Sequence, residues 1–431
     1  MRRIIDERLL EWADHPRRKP LIVRGARQVG KTWSVASLGE KRFRNRIHRI
    51  DLERNPDWHR IFEGNLDVLR ILAELEIVLN ARITPGEDLL FLDEIQSCPR
   101  AIMALRYFFE EMPRLHVAAA GSLLEFALED ISFPVGRIQF LEMQPLTFRE
   151  FLQAQGKEKM AETLGKSPTK LSDTIHQALM SEVRVYLLVG GMPEAVAVYV
   201  QEKSIEAVFR VQDELIETFR QDFSKYAPKA DKRCMGNVFV NTARSVGKVV
   251  KYSHLAEGFS TPTIHKAFDL LCSARVVIKV RSTSPAGIPL SSNASEKLFK
   301  SLIVDVGLMR SLAGISAKEV IARQEMLGIY EGALAEQFVG QELKAATGNT
   351  PYFWQRKAKS SQAEVDFLVV KENGVVPIEV KSGSSGRLKS LHMLLDTYPN
   401  CVRGYVFSDR PFGEIADQKL VFLPVYYSGS F

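Results

Sequence analysis

The sequence has few cysteines and no long apolar run. Its four cysteines, Cys98, Cys234, Cys272 and Cys401, lie far apart and form no CxxC pair. This spacing argues against a disulfide framework and a zinc site, and it favours a reducing compartment. No stretch of about 18 apolar residues is present, so we expect no membrane span. The first residues, MRRIIDERLLEWAD, are too charged for a signal peptide, and we therefore expect a cytoplasmic protein.

The chain also lacks a strong excess of charge of either sign. Its 431 residues include 58 Lys and Arg against 52 Asp and Glu, a net charge of +6. This mild excess permits nucleic-acid binding but does not predict it alone. Hydrophobic residues make up 45% of the chain, which argues against wholesale disorder. The length suffices for two or three domains, each with its own core.

Residues 20–38, PLIVRGARQVGKTWSVASL, have the order strand, glycine-bearing loop, helix. Within them, GARQVGKT fits the GxxxxGK[ST] pattern of a phosphate-binding loop, in the context that this pattern requires. The glycines let successive backbone N–H groups face a phosphate, and the following helix adds the positive end of its dipole. We predict that nucleotide phosphates contact the whole loop: Gly25, Ala26, Arg27, Gln28, Val29, Gly30, Lys31 and Thr32.

A phosphate-binding loop of this kind needs an acidic residue at the end of another buried strand. Lys31 would reach the β- and γ-phosphates, and the Thr32 hydroxyl would ligate magnesium. Residues 89–94, LLFLDE, form an apolar run that ends in two carboxylates, as expected at the carboxyl edge of a parallel sheet. Asp93 would hold the magnesium ion through water, and Glu94 would polarise the attacking water as general base. Together the motifs predict magnesium-dependent hydrolysis of a nucleotide.

Two further residues are candidates for the catalytic site. The apolar run 115–120 is followed by Gly121-Ser122. Ser122 would sense the γ-phosphate or orient the water, or it would cap a helix over residues 123–127, and both roles are compatible. Arg137 is a candidate for stabilising transition-state charge in its own subunit or in a neighbour's, the latter in a homo-oligomer. The alternative for Arg137 is an ordinary surface arginine.

The motifs GARQVGKT, FLDEIQ, AAGSLLE and GRIQFLEMQPLTFREFL resemble a bacterial and archaeal family of AAA-type P-loop ATPases. That family carries a conserved, poorly characterised C-terminal region, and GGMPEAV at residues 190–196 is similar to its opening motif. The resemblance covers nearly the whole chain. It implies ATP and magnesium binding at residues 25–32 and Asp93, with Glu94 as base. Many members have a run of serines where this chain has Ser122-Leu123, which leaves the role of Ser122 open.

The middle of the chain is predicted to be mainly helical. Residues 155–175 are polar and contain Gly, Ser and Pro, so they predict a linker or a surface insertion. Gly190-Gly191 predicts a tight turn, and Pro193 suits the first turn of a helix. Amphipathic patterns then continue to about residue 223. Residues 246–281 have the order helix, turn, second helix, strand, which resembles a winged helix-turn-helix, a DNA-binding motif.

The residue pattern of the second helix in this segment predicts an inner and an outer face. Ser260 or Thr261 would cap it, with Pro262 in its first turn. The apolar spacing directs four residues inward: Ile264, Ala267, Phe268 and Leu271. Three others would point outward: Thr263, His265 and Lys266. Four basic residues of the segment would contact phosphates: Lys248, Lys251, Lys279 and Arg281. Asp269 on the outer side would repel DNA, so a winged helix used only for packing is the alternative.

Residues 364–383, EVDFLVVKENGVVPIEVKSG, predict a β-hairpin around Asn373-Gly374. With these two residues as the turn, Asp366 faces Lys381 and Leu368 faces Glu379. The three charged residues then share one end of one face, while the other face is apolar. An exposed ion pair is the ordinary explanation. Two acids and a lysine clustered on a mostly apolar face instead indicate a functional site.

Asp followed by Glu-x-Lys on the next strand resembles the signature of the PD-(D/E)xK nuclease fold. This resemblance implies that Asp366 and Glu379 bind a divalent cation and that Lys381 activates or orients water. Such nucleases often add an acid from a preceding helix. Residues 332–343 are helical in pattern and offer Glu336, with Glu342 as the second choice. Because this fold also serves as an inert binding module, cleavage and binding both stay open.

The expected fold is α/β and multidomain. An AAA-type P-loop NTPase core spans residues 1–160, a helical linker or lid 161–235, a winged-helix-like region 236–310, and a restriction-endonuclease-like (PD-(D/E)xK) α/β domain 311–431. The expected function is ATP hydrolysis with magnesium, coupled to DNA binding or processing by the C-terminal domain. The alternative is an ATP-dependent switch whose C-terminal half binds DNA or a protein partner without cleaving it.

Overall fold

The computed structural model describes residues 1–122, 124, 136–226, 231–315, 331–358, 361–381 and 388–430. The chain divides into two compact units, Met1–Gln144 and Pro145–Phe431. The first unit thus ends before residue 160, where the sequence placed the end of the ATPase domain. The reason is that the segment after Gln144 bonds within the second unit: Leu146 N donates to Gly191 O at 2.7 Å. Within the described ranges, no helix combines the length and apolarity needed to span a membrane.

The first unit contains a parallel sheet, which in the described residues has five strands in the order β2-β3-β4-β1-β5. The strands are Leu21–Arg24 (β1), Ile47–Asp51 (β2), Leu89–Asp93 (β3), His116–Gly121 (β4) and Gln139–Glu142 (β5). The helices are Ile5–Asp14 (α1), Lys31–Phe43 (α2), Val68–Leu79 (α3) and Pro99–Glu111 (α4).

The central strands of this sheet are continuous apolar runs because they are covered on both faces. Every residue of β3 and β4 is buried, as is typical of parallel strands flanked by helices. Helices α3 and α4 contribute to the same core through Leu75 and Leu105. The parallel order places the carboxyl ends of β1, β2 and β3 at one edge of the sheet, where polar side chains from separate strands converge.

The second unit begins with helices. They are Phe148–Ala154 (α5), Glu158–Leu164 (α6), Asp173–Val189 (α7), Pro193–Glu202 (α8), Ile205–Tyr226 (α9), Lys232–Arg244 (α10), Thr261–Ser273 (α11) and Val306–Ala313 (α12). An antiparallel pair of strands accompanies α11, namely Val277–Arg281 (β6) and Phe299–Ile303 (β7). Helix α8 begins with Pro193 in its first turn, as predicted.

Helix α6 lies within residues 155–175, the segment for which the sequence predicted a linker or a surface insertion. Ala161 and Leu164 of α6 are buried, so one side of this short helix packs inward. The polar composition of the segment reflects its exposed side and concealed the helix.

Gly190 and Gly191 form a turn in which side chains would collide with neighbouring groups. Gly190 has φ +71°, in the left-handed region that favours glycine. A Cβ at Gly191 would overlap the carbonyl oxygen of Leu146. The buried Asp305 carboxylate accepts a hydrogen bond from Gly191 N at 2.5 Å. Close backbone approach therefore explains the paired glycines of GGMPEAV.

The C-terminal part of the second unit is a mixed sheet with two helices. Its strands are Tyr352–Ala358 (β8), Ser361–Lys371 (β9), Gly374–Val380 (β10), Gly404–Ser408 (β11), Gly413–Ile415 (β12) and Leu420–Pro424 (β13). Over the described residues their order is β12-β13-β11-β10-β9-β8, with β10 parallel to β11 and antiparallel to β9. The helices Glu331–Thr347 (α13) and Lys389–Thr397 (α14) both contact this sheet.

The predicted register of the β9–β10 hairpin was wrong by two residues. Val375 pairs with Val370, and the turn residues are Glu372 and Asn373, with φ +49° and +62°. Positive φ at both central positions is what a type I′ turn needs, and Gly374 instead begins β10. In this register Asp366 lies opposite Glu379 rather than Lys381. A shift of two residues leaves each side chain on its predicted face, because side chains alternate with period two.

Candidate ATP site and C-terminal acidic cluster

The loop between β1 and α2 curls through left-handed backbone. Gln28 and Gly30 have φ +62° and +97°. A Cβ at Gly25 would overlap the carbonyl oxygen of Met143, so this position requires glycine. The ammonium of buried Lys31 donates to the carbonyl oxygens of Gly25 at 3.2 Å and Ala26 at 2.9 Å. The loop thus holds its lysine close to its own backbone.

Thr32 and Asp93 meet at the carboxyl edge of the sheet. Thr32 Oγ1 donates to Asp93 Oδ1 at 3.1 Å, although the two residues lie on different elements. Asp93 is only 1% exposed, and this burial raises the pKa of its carboxyl, with Arg49 acting in the opposite direction. A hydroxyl and a carboxylate are oxygen ligands of the kind that Mg²⁺ takes. This pair therefore fits the predicted magnesium site.

Arg49 is a neighbour of Asp93 that the sequence did not reveal. It lies on β2, where its Nε donates to Asp93 Oδ2 at 3.0 Å and its Nη2 forms an ion pair with the same oxygen at 2.7 Å. Asp51 of the same strand pairs with Asp93 in the sheet. Only the adjacency of β2 and β3 brings the arginine to the carboxylate. The segment IHRID carries no local motif that would have indicated this contact.

Glu94 is held by a second residue that sequence reasoning missed. Its backbone is left-handed, with φ +49°, and its amide N donates to Asp93 Oδ1 at 3.2 Å. Gln96 is buried and donates through Nε2 to Glu94 Oε2 at 2.6 Å. The signal was present in FLDEIQ, where a glutamine follows the acid by two residues. Gln96 thus holds the carboxylate that the sequence predicts as the general base.

Ser122 and Arg137 occupy different surroundings. Ser122 directly follows β4 and is buried, while the helix predicted over residues 123–127 lies outside the described residues except for Leu124. Arg137 is exposed and donates through Nε to Glu110 Oε1 of α4 at 2.9 Å. That ion pair is the contact expected of a surface arginine. The catalytic roles of both residues stay predictions.

Helix α11 has the predicted faces. The apolar residues assigned to its inner side are all buried, namely Ile264, Ala267, Phe268 and Leu271. Ser260 Oγ accepts a hydrogen bond from Thr263 N at 3.4 Å, which confirms the predicted cap. The side chains of His265 and Lys266 are exposed and that of Thr263 is half-buried.

Acidic partners offset part of the basic surface of this segment. His265 Nδ1 lies 2.9 Å from Asp269 Oδ2 on α11. Lys279 and Arg281 of β6 both contact the exposed carboxylate of Glu296, at 3.3 and 2.5 Å. Exposed basic residues of the same segment are Lys248, Lys251 and Lys266. The predicted phosphate contacts are thus divided between exposed lysines and ion-paired residues.

Beside the C-terminal sheet, a lysine occupies the centre of the predicted nuclease-like site. Lys300 of β7 is 1% exposed, and its Nζ lies 2.7 Å from Glu364 Oε1, 2.9 Å from Glu336 Oε1 and 3.2 Å from Asp366 Oδ1. Although burial acts in the opposite direction, these carboxylates raise the pKa of Lys300 well above its usual value. We call Glu336, Glu364 and Asp366 the acidic cluster.

The predicted Glu-x-Lys pair lies beside the acidic cluster. Lys381 Nζ is 2.5 Å from Glu379 Oε1, and Val380 N donates to Asp366 Oδ2 at 2.9 Å. Glu379 Oε2 is buried and has no hydrogen-bond partner among the described residues. Burial, with the charge of Asp366, raises the pKa of Glu379 to about 8. The structure thus brings Asp366, Glu379 and Lys381 together, by a register other than the predicted one.

The structure distinguishes the two glutamates offered for the preceding helix. Glu336 of α13 belongs to the acidic cluster, and burial followed by the charge of Asp366 raises its pKa to about 7. Glu342 lies apart from the cluster and accepts a hydrogen bond from Phe148 N at 3.0 Å. Sequence reasoning missed Lys300 and Glu364. The available signal was a lysine in FKSLI, a strand whose residues are all buried.

A divalent cation does not fit at Asp366 and Glu379 in this arrangement. Both carboxylate oxygens of Asp366 already accept hydrogen bonds, one from Lys300 and one from Val380 N. One oxygen of Glu379 accepts from Lys381. Across the part of the chain that the structure describes, no group of three or more His, Cys, Asp or Glu residues is placed to hold a metal ion.

Comparison with known proteins identifies the kind of domain that the first unit forms. Residues 17–152 match a family described as an AAA domain, and this stretch contains the loop with Lys31 and the strand with Asp93. The chain contains an AAA-type P-loop ATPase domain. ATP binding and hydrolysis are the general activity of this ATPase domain. Beyond it, residues 180–319 and 331–426 match two families described as domains of unknown function, DUF8612 and DUF4143.

Solved structures with some similarity include the Walker-type ATPase PABY2304 of Pyrococcus abyssi, at 15% identity and TM-score 0.46, covering 72% of this chain and 95% of that one. PCH-2 of C. elegans has 14% identity and TM-score 0.27, with 47% and 62% covered. Drosophila ORC bound to DNA has 12% identity and TM-score 0.28, with 68% and 90% covered. No curated protein matches the chain.

Proposed function

We propose that the protein is an ATP-dependent switch: the ATPase domain hydrolyses ATP with magnesium, and the C-terminal half binds DNA without cleaving it. The contact between Thr32 Oγ1 and Asp93 Oδ1, at 3.1 Å, carries the catalytic part of this proposal. It joins the end of the phosphate loop to the acidic strand, as P-loop ATPases require for a metal-bound triphosphate.

Thr32 and Asp93 would hold the magnesium ion, which neutralises charge on the phosphates when it is bound. Lys31 would exchange the carbonyl oxygens of Gly25 and Ala26 for phosphate oxygens, because an ammonium bonds more strongly to a charged acceptor. Glu94 would accept the proton of the attacking water, with its carboxylate oriented by Gln96.

The exposed basic residues around α11 support DNA as the partner of the C-terminal half. Lys248, Lys251 and Lys266 are available to phosphates, which attract lysines without regard to sequence. Asp269 and Glu296 reduce the local positive charge, so the interaction would be modest and salt-dependent. A protein partner is the alternative that the same surface leaves open.

Cleavage is the second candidate activity for the C-terminal half. The observation in its favour is that Asp366, Glu379 and Lys381 do converge. The position of Lys300 within the acidic cluster argues against it, because the oxygens that would hold a metal ion are engaged. We therefore favour binding over cleavage.

Side-by-side assays of ATP turnover and DNA integrity test the proposal. Wild type, Lys31→Ala, Asp366→Ala and the control Lys41→Ala would be incubated with DNA, ATP and magnesium or manganese. Lys41 lies on the same helix as Lys31, is exposed and pairs with Asp6. We expect turnover to be lost in Lys31→Ala alone, DNA to remain intact throughout, and DNA to stimulate turnover.

Each part of the proposal has its own contrary result. Turnover that survives Lys31→Ala would refute the assigned ATP site. DNA cleavage by wild type that Asp366→Ala abolishes would replace the switch with a nuclease. Stimulation of turnover by a protein partner, with no response to DNA, would change the partner class while leaving the ATPase assignment in place.

A further inference from the structure

We propose that Lys300 is the resident cation of the acidic cluster and that its ammonium excludes a divalent metal ion from the nuclease-like site. The inference goes beyond ATP hydrolysis and gives a structural reason why the C-terminal half would bind rather than cut. It concerns a side chain of this chain and does not depend on nucleotide.

The bonding of Lys300 is complete. An ammonium group has three N–H donors, and the three carboxylates of the acidic cluster lie within 2.7 to 3.2 Å of Lys300 Nζ. The ring of Phe353 lies with its centroid 5.5 Å from the same nitrogen, a distance at which the ring face attracts a cation. The site therefore satisfies a monovalent ammonium with directional bonds.

Two of the outer oxygens of the acidic cluster also accept hydrogen bonds. Asp366 Oδ2 accepts from Val380 N, and Glu364 Oε2 accepts from Gln355 Nε2 at 2.9 Å. Glu336 Oε2 lies beside Gly247, where even a Cβ would come within 3.2 Å. A divalent ion would have to break these bonds as well as displace the lysine.

Glu379 Oε2 is a buried acceptor near the acidic cluster that lacks a hydrogen-bond partner among the described residues. Mg²⁺ is usually held by one or two carboxylates together with water, and here the carboxylate of Asp366 beside Glu379 already accepts from Lys300 and from Val380 N. Displacing Lys300 would also leave a buried ammonium without its carboxylates, which is strongly unfavourable. The acidic cluster thus receives a counter-charge from within the chain.

Lys300 reaches the acidic cluster from a separate part of the chain. It lies on β7, which pairs with β6, whereas Glu336 is 36 residues away on α13 and Asp366 is 66 residues away on β9. The lysine therefore ties the segment that contains α11 to the C-terminal sheet. The counter-charge at the acidic cluster depends on the position of β7.

Manganese binding to the full chain without nucleotide, followed by electron paramagnetic resonance, tests this inference. We expect wild type and Asp366→Asn to give the same titration, because the acidic cluster takes up no Mn²⁺. Lys300→Met should gain a site at least tenfold tighter than any in wild type, and the further change Asp366→Asn should abolish it. Lys279→Met on β6 is the matched control, since its partner Glu296 is exposed, and it should gain nothing.

Binding of Mn²⁺ by wild type that Asp366→Asn removes would overturn the proposal, as would a folded Lys300→Met that gains no site. If Lys300→Met fails to fold, the comparison of wild type with Asp366→Asn still shows whether the acidic cluster binds Mn²⁺ in the native chain. Lys300→Arg supplies a third test, because it keeps the charge and should take up no Mn²⁺ at the acidic cluster. The ATPase assignment would survive either outcome, because no nucleotide is present in the titration.

Discussion

Arg49 donates a hydrogen bond from Nε to Asp93 Oδ2 at 3.0 Å, and its Nη2 forms an ion pair with the same oxygen at 2.7 Å. The other carboxylate oxygen accepts from Thr32. Asp93 is therefore shared between a basic strand residue and the phosphate loop. Since burial raises the pKa of Asp93 and the Arg49 charge lowers it, the arginine helps to keep this acid ionised.

Replacing Arg49 should shift the pH dependence of ATP turnover. In Arg49→Met, the pKa of Asp93 rises further, and a protonated carboxyl holds magnesium poorly. We expect the acidic limb of the kcat/KM profile to move to higher pH, with a larger loss at pH 6 than at pH 8. Arg46→Met, which loses only a surface pair with Glu87, should leave the profile in place. An unchanged profile in both variants would mean that Arg49 does not influence Asp93.

Gln96→Leu should lower kcat without weakening ATP binding. The variant removes the hydrogen bond that orients the Glu94 carboxylate, and a general base contributes about 10²- to 10⁴-fold to rate. We expect a loss of roughly tenfold, smaller than that of Glu94→Gln. Steady-state kinetics and a nucleotide-binding titration would separate the two effects. Equal increases in KM and in the ATP dissociation constant would instead indicate a damaged binding site.

Gly191→Ala should destabilise the second unit. Its new Cβ would overlap the Leu146 carbonyl oxygen, and overpacking of this kind typically costs about 1–3 kcal/mol. Gly236→Ala is the control, because it lies within α10 and a Cβ there would have no neighbour within 4 Å. Alanine favours a helix interior by about 0.5–1 kcal/mol over glycine. Denaturant midpoints should therefore move in opposite directions, and a shared direction would contradict the argument.

Glu342 should make stability fall as pH rises. Burial raises its pKa to about 8 in the folded chain, above the value of about 4.3 expected when unfolded. The folded state therefore holds a proton that the unfolded state has lost, so stability declines between those two pH values. Glu342→Gln should flatten this decline, whereas Glu158→Gln on the exposed side of α6 should not. Melting temperatures would be measured from pH 5 to pH 8. Parallel curves for wild type and Glu342→Gln would contradict the prediction.

Local patterns were sufficient for several elements. Ser260, Pro262 and the four inward residues of α11 were read correctly, because capping and helical periodicity depend on residues a few positions apart. Pro193 was correctly placed in the first turn of α8 for the same reason. Helix α6 was missed since only Ala161 and Leu164 indicate its buried side, too few for a periodic signal.

The hairpin illustrates how a sound local signal can mislead. Asn373-Gly374 is a strong turn pattern, yet the chain turns at Glu372-Asn373 and pairs two residues away from the predicted register. Each register keeps the same residues on the same faces, so hydrophobic patterning cannot separate them. The side chains of Asp366, Glu379 and Lys381 lie close together as predicted, although the residue opposite Asp366 is a different one.

By itself, the sequence determined the phosphate loop of residues 25–32 and the two acids at the end of β3, because glycine spacing and strand order act over short stretches of chain. Only the tertiary structure decided which cations accompany those acids. Arg49 reaches Asp93 through the order of strands, and Lys300 reaches Asp366 across 66 residues. Burial makes such pairings strong and obligatory, since a buried carboxylate must be neutralised or hydrogen-bonded. Chain-distant partners of this kind leave no pattern in a single sequence.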